Sequence, residues 1–410
     1  MGAKINGETT VSEDSAFRLG HFDINGKRLN VPLQALDIRK YYDSKIDFGD
    51  LKVGVSEAFV KYNKKKLEKF REFPDLDRKE DAKIKLWKDA ADKVSSSRFL
   101  FTRFEGPKYP TIDEMKTLIT KSHSFSDATP LPALPDVFKE LVTRTKRNGQ
   151  VVQESKIRIT DEKFKKHKSF LDTYIQLLEG WNHKDILGWL PTNWSTRNIA
   201  ELIDYYYSKG INHFYLDLGT ATFKSLIGSP LMTGIVMELN EIGLEYQKTF
   251  LYSINSSPGR FTANTGVIGS KDILMGGAGI DTIGRNHLAF GSNRQGKPDP
   301  RIFEKLKFNK IRLFNKSDYG YYRLNSKKLP FKLPDDSILD EKILTDINKG
   351  KAFSQIFNMQ QLVIENQNIQ TYIKENNEPL KIIEKEKNKA EKEDIKAIKD
   401  FRTKKLGSLI

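Results

Sequence analysis

Two apolar runs in the second half of the chain each end in polar groups able to do chemistry. In KTFLYSINSSPGRFTANTGVIGSKDILMGGAGIDTIGRNHLAFG (Lys248–Gly291), the run Thr249–Ile254 delivers Asn255, Ser256 and Ser257 at its C-terminal end. The next run is entered through Gly-Ala-Gly-Ile-Asp and carries Asp281, then Gly284, Arg285, Asn286 and His287. Folds of the α/β type hold reactive groups at the C-terminal ends of their strands, so two such ends in succession point to an enzyme site on a barrel rim. Asp127, Asp217 and Asp281 are the candidate carboxylates, because each lies at the beginning or end of an apolar run. One carboxylate can attack a sugar carbon while another serves as acid, base or acceptor for a base edge. Each could equally cap a loop or pair with a surface cation; three together strengthen the functional reading.

Around these carboxylates, Asp217, Asn255, Ser256, Arg285 and His287 are expected to bind substrate. Gly276 and Gly277 join them, because a glycine-rich strand entry also suits backbone approach to a phosphate, with Arg285 as its cation. The six histidines are scattered, with no H-x-x-x-H or H-x-H pair, and cysteine is absent. No metal site, disulfide or iron–sulfur cluster is therefore expected, nor any cofactor. Neither a G-x-G-x-x-G, a P-loop nor a G-x-S-x-G pattern follows a strand, which argues against dinucleotide, nucleoside-triphosphate and serine-hydrolase chemistry. Trp189 and Trp194 flank Pro191 at a strand end, where they could stack a base or pack a core.

The elements that would position these groups alternate regularly from about Thr160. Phe164–Leu178 has helical spacing, Asp185–Pro191 reads as a strand, and Ser195–Gly210 as a helix with Ser195 its cap and Gly210 its stop. Asn212–Leu218 is the next strand and Leu231–Ile242 the next helix. Upstream, Asn25-Gly26 signals a hairpin, Leu51–Tyr62 a strand, and Thr111 with Glu114 a capping box. The repeated strand–helix units predict an α/β fold: a (β/α)8 TIM-like barrel with an N-terminal β-rich segment and a C-terminal helical extension. The expected divisions are a disordered leader (1–16), the barrel with insertions (17–340), and C-terminal helices ending in an exposed Lys/Glu-rich tail (341–410).

Composition narrows the partners. The 410-residue chain has no apolar run long enough to cross a membrane and no signal-like N-terminus, so a cytoplasmic location without membrane contact is expected. A net charge of +15 favours a polyanion. The basic residues cluster at Lys61–Arg71, Arg144–Arg147, Lys163–Lys168 and Lys305–Arg312, several with aromatics among them, as a nucleic-acid surface requires.

These motifs resemble the tRNA-guanine transglycosylase superfamily, which includes related DNA-modifying enzymes. Leu51–Asn63 is similar to a family strand ending in a Ser-Asn-Ala-Tyr-like sequence. Ser126-Asp127 resembles the pair carrying the family's base-binding aspartate. Lys248–Phe290 resembles its strand–loop–helix and following Gly-x-Asp-x-Φ, where Φ is apolar, and Lys351–Lys374 its C-terminal helical segment. The resemblance implies exchange of guanine in tRNA or DNA for a free 7-deazaguanine-type base, with Asp127 and Asp281 as the catalytic carboxylates. It also implies a homo- or heterodimer. The chain departs from the pattern at three places. The zinc-binding cysteines are missing and Phe357-Asn358 stands where His-Asn would be. Gly284 occupies the position of the nucleophilic second Asp of Asp-x-Φ-Asp. No Gly-Gly follows Asp127. A nucleic-acid- or partner-binding member without catalysis, and a phosphosugar barrel with Gly276–Gly284 as its cradle, are the alternatives.

Overall fold

The computed structural model describes residues 5–44, 53–145, 151–181, 184–219, 223–257, 266–288, 311–324, 329–335, 337, 347–407 and 409. Three antiparallel strands come first: β1 (Asn6–Val11), β2 (Arg18–Ile24) and β3 (Lys27–Val31). Asn25 and Gly26 join β2 to β3 with φ of 53° and 72°, the left-handed pair that a two-residue hairpin demands. The expectation of a disordered leader fails here, because residues 6–11 gain a full ladder of backbone partners on β2.

The chain then alternates strands with helices. β4 (Leu33–Asp37) leads to α1 (Ile38–Ser44), β5 (Val53–Asn63) to α2 (Lys64–Glu72) and α3 (Pro74–Val94), and β6 (Ser95–Glu105) to α4 (Ile112–Phe125). After β7 (Thr129–Pro130) a hairpin, β8 (Lys139–Thr145) and β9 (Val151–Ile157), precedes α5 (Asp161–Glu179). β10 (Ile186–Pro191) and α6 (Thr196–Ser208) follow, then β11 (His213–Asp217), α7 (Phe223–Gly228) and α8 (Leu231–Glu241), then β12 (Leu251–Ile254). β13 (Val267–Gly269) pairs away from the main sheet, and β14 (Thr282–Ile283) returns to it. β15 (Arg312–Asn315) and β16 (Gly320–Arg323) complete a small sheet with β13, and α9 (Ile347–Asn376), α10 (Pro379–Glu386) and α11 (Lys392–Asp400) close the chain. Local signals act where the residues dictate: Thr111 and Glu114 form the reciprocal capping box of α4, and Ser195 caps α6.

Eight strands, β6-β5-β4-β14-β12-β11-β10-β7, form one parallel sheet. Read from β4 round through β7, β10 and β14, the order is the chain order, as in a TIM-like barrel. The two outer strands approach one another through Phe104 N–H to Ala133 O and Ala133 N–H to Thr102 O, both 2.9 Å, so the sheet nearly closes. Phe99, Phe101, Tyr215, Phe250 and Tyr252 fill the interior, with Phe101 4.9 Å from both tyrosine rings. Burying each such ring contributes about 1.5–3 kcal/mol. The interior is thus a packed plug that separates two ends: a mouth at the strand C-termini and a base at their N-termini.

The tail differs from its expected exposure. Ile383, Ile395, Ile398, Phe401 and Leu406 are buried, and Ile398 packs on Gly277 at the base. Their loose helical spacing is that of three short segments turning across a surface. Trp189 and Trp194 take the core role: they meet edge to face, and Phe138 and His167 pack against them beneath α5. Of the basic clusters, residues 146–147 and 305–310 lie outside the described residues.

Candidate active site

Glu57 is the centre of the mouth. Side chains alternate along β5, so Glu57 and Phe59 point the same way, inward, and the register sets Glu57 beside Asp37 of β4. His287, just past β14, completes the group. Its Nε2 lies 2.8 Å from Glu57 Oε1, its Nδ1 3.3 Å from Asp37 Oδ2, and its ring stacks on Phe59 at 5.1 Å. The Tyr252 hydroxyl donates to Glu57 Oε2 at 2.5 Å, and the Arg285 backbone N–H donates to Oε1. Arg39 clamps Asp37 from Nε and Nη2, each at 3.0 Å, and donates to the Phe59 carbonyl.

The electrostatics follow from this packing. Burial alone would lower the His287 imidazole, but the Glu57 and Asp37 carboxylates outweigh it and hold its pKa above 6.5. Burial would raise Asp37; His287 and Arg39 outweigh that and hold it well below the usual carboxylate range. Burial, followed by the Glu57 charge, pushes the Tyr252 hydroxyl well above 10.0, so it donates and stays neutral. Nδ1 of His287 also lies 2.7 Å from Nη2 of Arg39. Protonated, Nδ1 donates to Asp37; deprotonated, it accepts from Arg39. The ring therefore has a partner in either state, which suits a group that passes a proton.

A second cluster adjoins the first. Asn255, directly after β12, adopts φ of 60°, a left-handed conformation that turns its amide across the mouth. Its Nδ2 donates to Asp217 Oδ1 at 2.7 Å, and its Oδ1 accepts the His287 backbone N–H at 3.0 Å. Arg103 Nη1 stands 3.6 Å from Asp217 Oδ2, and Ser256 Oγ donates to the Gly284 carbonyl at 2.7 Å. Gly284 admits no side chain: a Cβ there would meet Glu57 Oε2 and the Ser253 carbonyl at 2.5 Å. The carboxylate of Glu57 fills the space that a residue at 284 would enter.

The candidate residues divide between the two ends. Asp217, Asn255, Ser256, Arg285 and His287 lie at the mouth, although the Arg285 side chain turns outward, its Nη1 4.0 Å from Asp272. Asp127 and Asp281 lie at the base, because each precedes its strand. Asp281 accepts from Arg18 Nη1 at 2.8 Å and from the Leu251 N–H at 2.7 Å. Arg18 is itself wholly buried and is further held by the Tyr246 and Thr249 carbonyls. Burial pushes the Asp281 carboxyl up to about 6 against the pull of Arg18, so the pair is ionised at neutral pH. Asp127 is bound by Arg98 at 2.7 Å and by Lys27 of the β2–β3 hairpin at 3.1 Å. Burial would raise it, but these two cations outweigh burial and lower it. Both aspartates fasten the N-terminal sheet to the barrel. Gly276 and Gly277 lie there too, where a Cβ would meet Phe17 at 2.6 Å and Ile398 at 3.0 Å. Side chains occupy the space that a phosphate cradle would need.

Asp37, Arg39, Glu57, Arg103 and Tyr252 went unrecognised in the sequence. The available signal was Glu57 itself, an acid inside the apolar strand Leu51–Tyr62. Among the described residues no group of three or more His, Asp or Glu side chains is disposed to hold a metal ion, and no helix is long and apolar enough to cross a membrane. Asp37, His287 and Glu57 are taken up by one another. No family model matches this chain, and no curated protein is significantly similar to it.

Proposed function

We propose that the protein exchanges a base at an N-glycosidic bond of tRNA or DNA, using the mouth cluster. The observation that carries this reading is the Glu57 carboxylate, wholly buried and held by Tyr252, His287 and the Arg285 N–H beside Gly284. In the superfamily that the sequence resembles, the nucleophilic carboxylate stands at the position of Gly284. Here β5 supplies a carboxylate to the same place.

In this reading a flipped-out nucleotide enters the mouth. A Glu57 oxygen bonds to the sugar C1′ as the glycosidic bond breaks, and the departing guanine keeps the bonding pair and takes a proton from imidazolium His287. The incoming 7-deazaguanine-type base returns a proton to His287 and displaces Glu57 from C1′, which restores the enzyme. Asp217, oriented by Asn255, accepts from the N–H edge of the base. Arg103 and the chain's net charge of +15 attract the phosphates. Asp127 and Asp281 have no part in the chemistry and serve the base of the barrel.

One observation favours a binding role without catalysis: the described carboxylates of the mouth are all paired within the protein. Incorporation of labelled 7-deazaguanine into tRNA and into duplex DNA separates the two. Exchange that survives Asp127→Asn but not Glu57→Gln supports the proposal. Tight, salt-sensitive binding to either polymer without exchange overturns it in favour of the binding role.

A further inference from the structure

The opposite end of the barrel holds a cavity unrelated to the mouth. The first residues of β4 and β5 and one turn of α9 line a space of about 190 Å³, with Leu33 and Val363 among its apolar walls. Its amide side chains are oriented by the backbone. Gln34 Nε2 donates to the Asp272 carbonyl at 3.3 Å, Asn366 Nδ2 to Leu362 at 2.8 Å, and Gln370 Nε2 to Pro32 at 3.0 Å. A carbonyl only accepts, so each amide must give its nitrogen to the backbone and keep its oxygen for something else. Gln34 is 1% exposed, and its Oε1 is buried without a partner. Leaving such an acceptor unsatisfied costs about 1–3 kcal/mol. Arg28 stands at the opening with no ion-pair partner among the described residues.

Three fixed acceptors, one cation and apolar walls define a ligand. It is planar, offers adjacent N–H donors to the amide oxygens, and presents a carbonyl oxygen to Arg28. An apolar cavity of about 150 Å³ takes a single benzene ring, so this one suits a bicyclic base. Carboxylates are repelled by the oxygens. Adenine has an amino group but neither the ring N–H beside it nor the carbonyl. We propose that this cavity is a second ligand site, which binds a free guanine-type base through its amino-lactam edge. It stands on its own lining and does not rest on the base-exchange reading.

Isothermal titration of the full-length chain with 7-deazaguanine, and with adenine as control, tests this. The titrations use the Glu57→Gln, Asp217→Asn protein, so that binding at the mouth is suppressed. One molecule per chain should bind, at least tenfold more weakly once Gln370→Leu or Asn366→Leu is added, and adenine at least tenfold more weakly than 7-deazaguanine. Gln370 is half-buried, so its variant keeps the test valid should Asn366→Leu fail to fold. No binding, equal binding of adenine, or full affinity in Gln370→Leu overturns the proposal. Base exchange by the unsubstituted chain is a separate reading that none of these outcomes moves.

Discussion

Glu57 and His287 face one another across the barrel mouth, Oε1 to Nε2, at 2.8 Å, although 230 residues separate them in the chain. Their contact joins β5 to the segment after β14, and Tyr252 of β12 donates to the other Glu57 oxygen at 2.5 Å. Glu57→Gln keeps the shape and removes the charge. Exchange should fall by about 10³-fold or more, the loss typical of a group that makes the covalent intermediate. Circular dichroism should stay unchanged, and the His287 pKa, followed by NMR, should drop toward or below 6.5 because the carboxylate that raises it is gone.

His287 also predicts a pH dependence of stability. Its folded pKa is raised, so the native state binds the proton more tightly than the unfolded chain does. The stabilisation is complete below about 6.5, the unfolded value, and disappears as pH rises through the folded value. Urea midpoints measured from pH 6 upward should therefore decline in the natural chain. In His287→Gln that decline should flatten. A midpoint curve identical in both proteins would remove His287 from the account.

The base of the barrel should behave as structure and not as chemistry. Arg18→Met leaves the Asp281 carboxylate buried without its cation, and should cost about 3–5 kcal/mol in urea unfolding. Asp127→Asn loses charge against Lys27 and Arg98 but keeps an acceptor, and should cost less. The folded Asp127→Asn protein should exchange bases at the natural rate. A rate reduced a hundredfold or more in folded protein would return Asp127 to the site.

Why the sequence revealed the barrel but misplaced two carboxylates is a matter of direction along the strand. Strand–helix alternation, the Asn25-Gly26 turn and the Thr111 capping box are local, so the chain displays them. An acid beside an apolar run is local as well, but its end of the barrel depends on whether it precedes or follows the strand. Asp217 ends β11 and reaches the mouth; Asp127 and Asp281 come before β7 and β14 and reach the base. Glu57 was hidden for another reason. β5 continues to Asn63, so the residue looks mid-strand, and only the register against Asp37 and the approach of His287 bring it to the mouth. Arg18 gave no signal, since nothing in β2 announces that its guanidinium will be wholly buried under Asp281.

Gly284 supplies the sharpest test of where the carboxylate comes from. An Ala there would drive its Cβ to 2.5 Å from Glu57 Oε2 and from the Ser253 carbonyl, so Gly284→Ala should displace Glu57, abolish exchange and cost about 1–3 kcal/mol. Glu57→Ala alone should be inactive through loss of the carboxylate, with the fold kept and a space opened beside position 284. Adding Gly284→Asp to Glu57→Ala then returns a carboxylate from β14 to the space vacated by β5. The double variant should regain exchange at least tenfold above Glu57→Ala, while Gly284→Asp alone, with two carboxylates crowded into one space, should be worse than either. A folded double variant no more active than Glu57→Ala would show that Glu57 does something other than replace a carboxylate at 284.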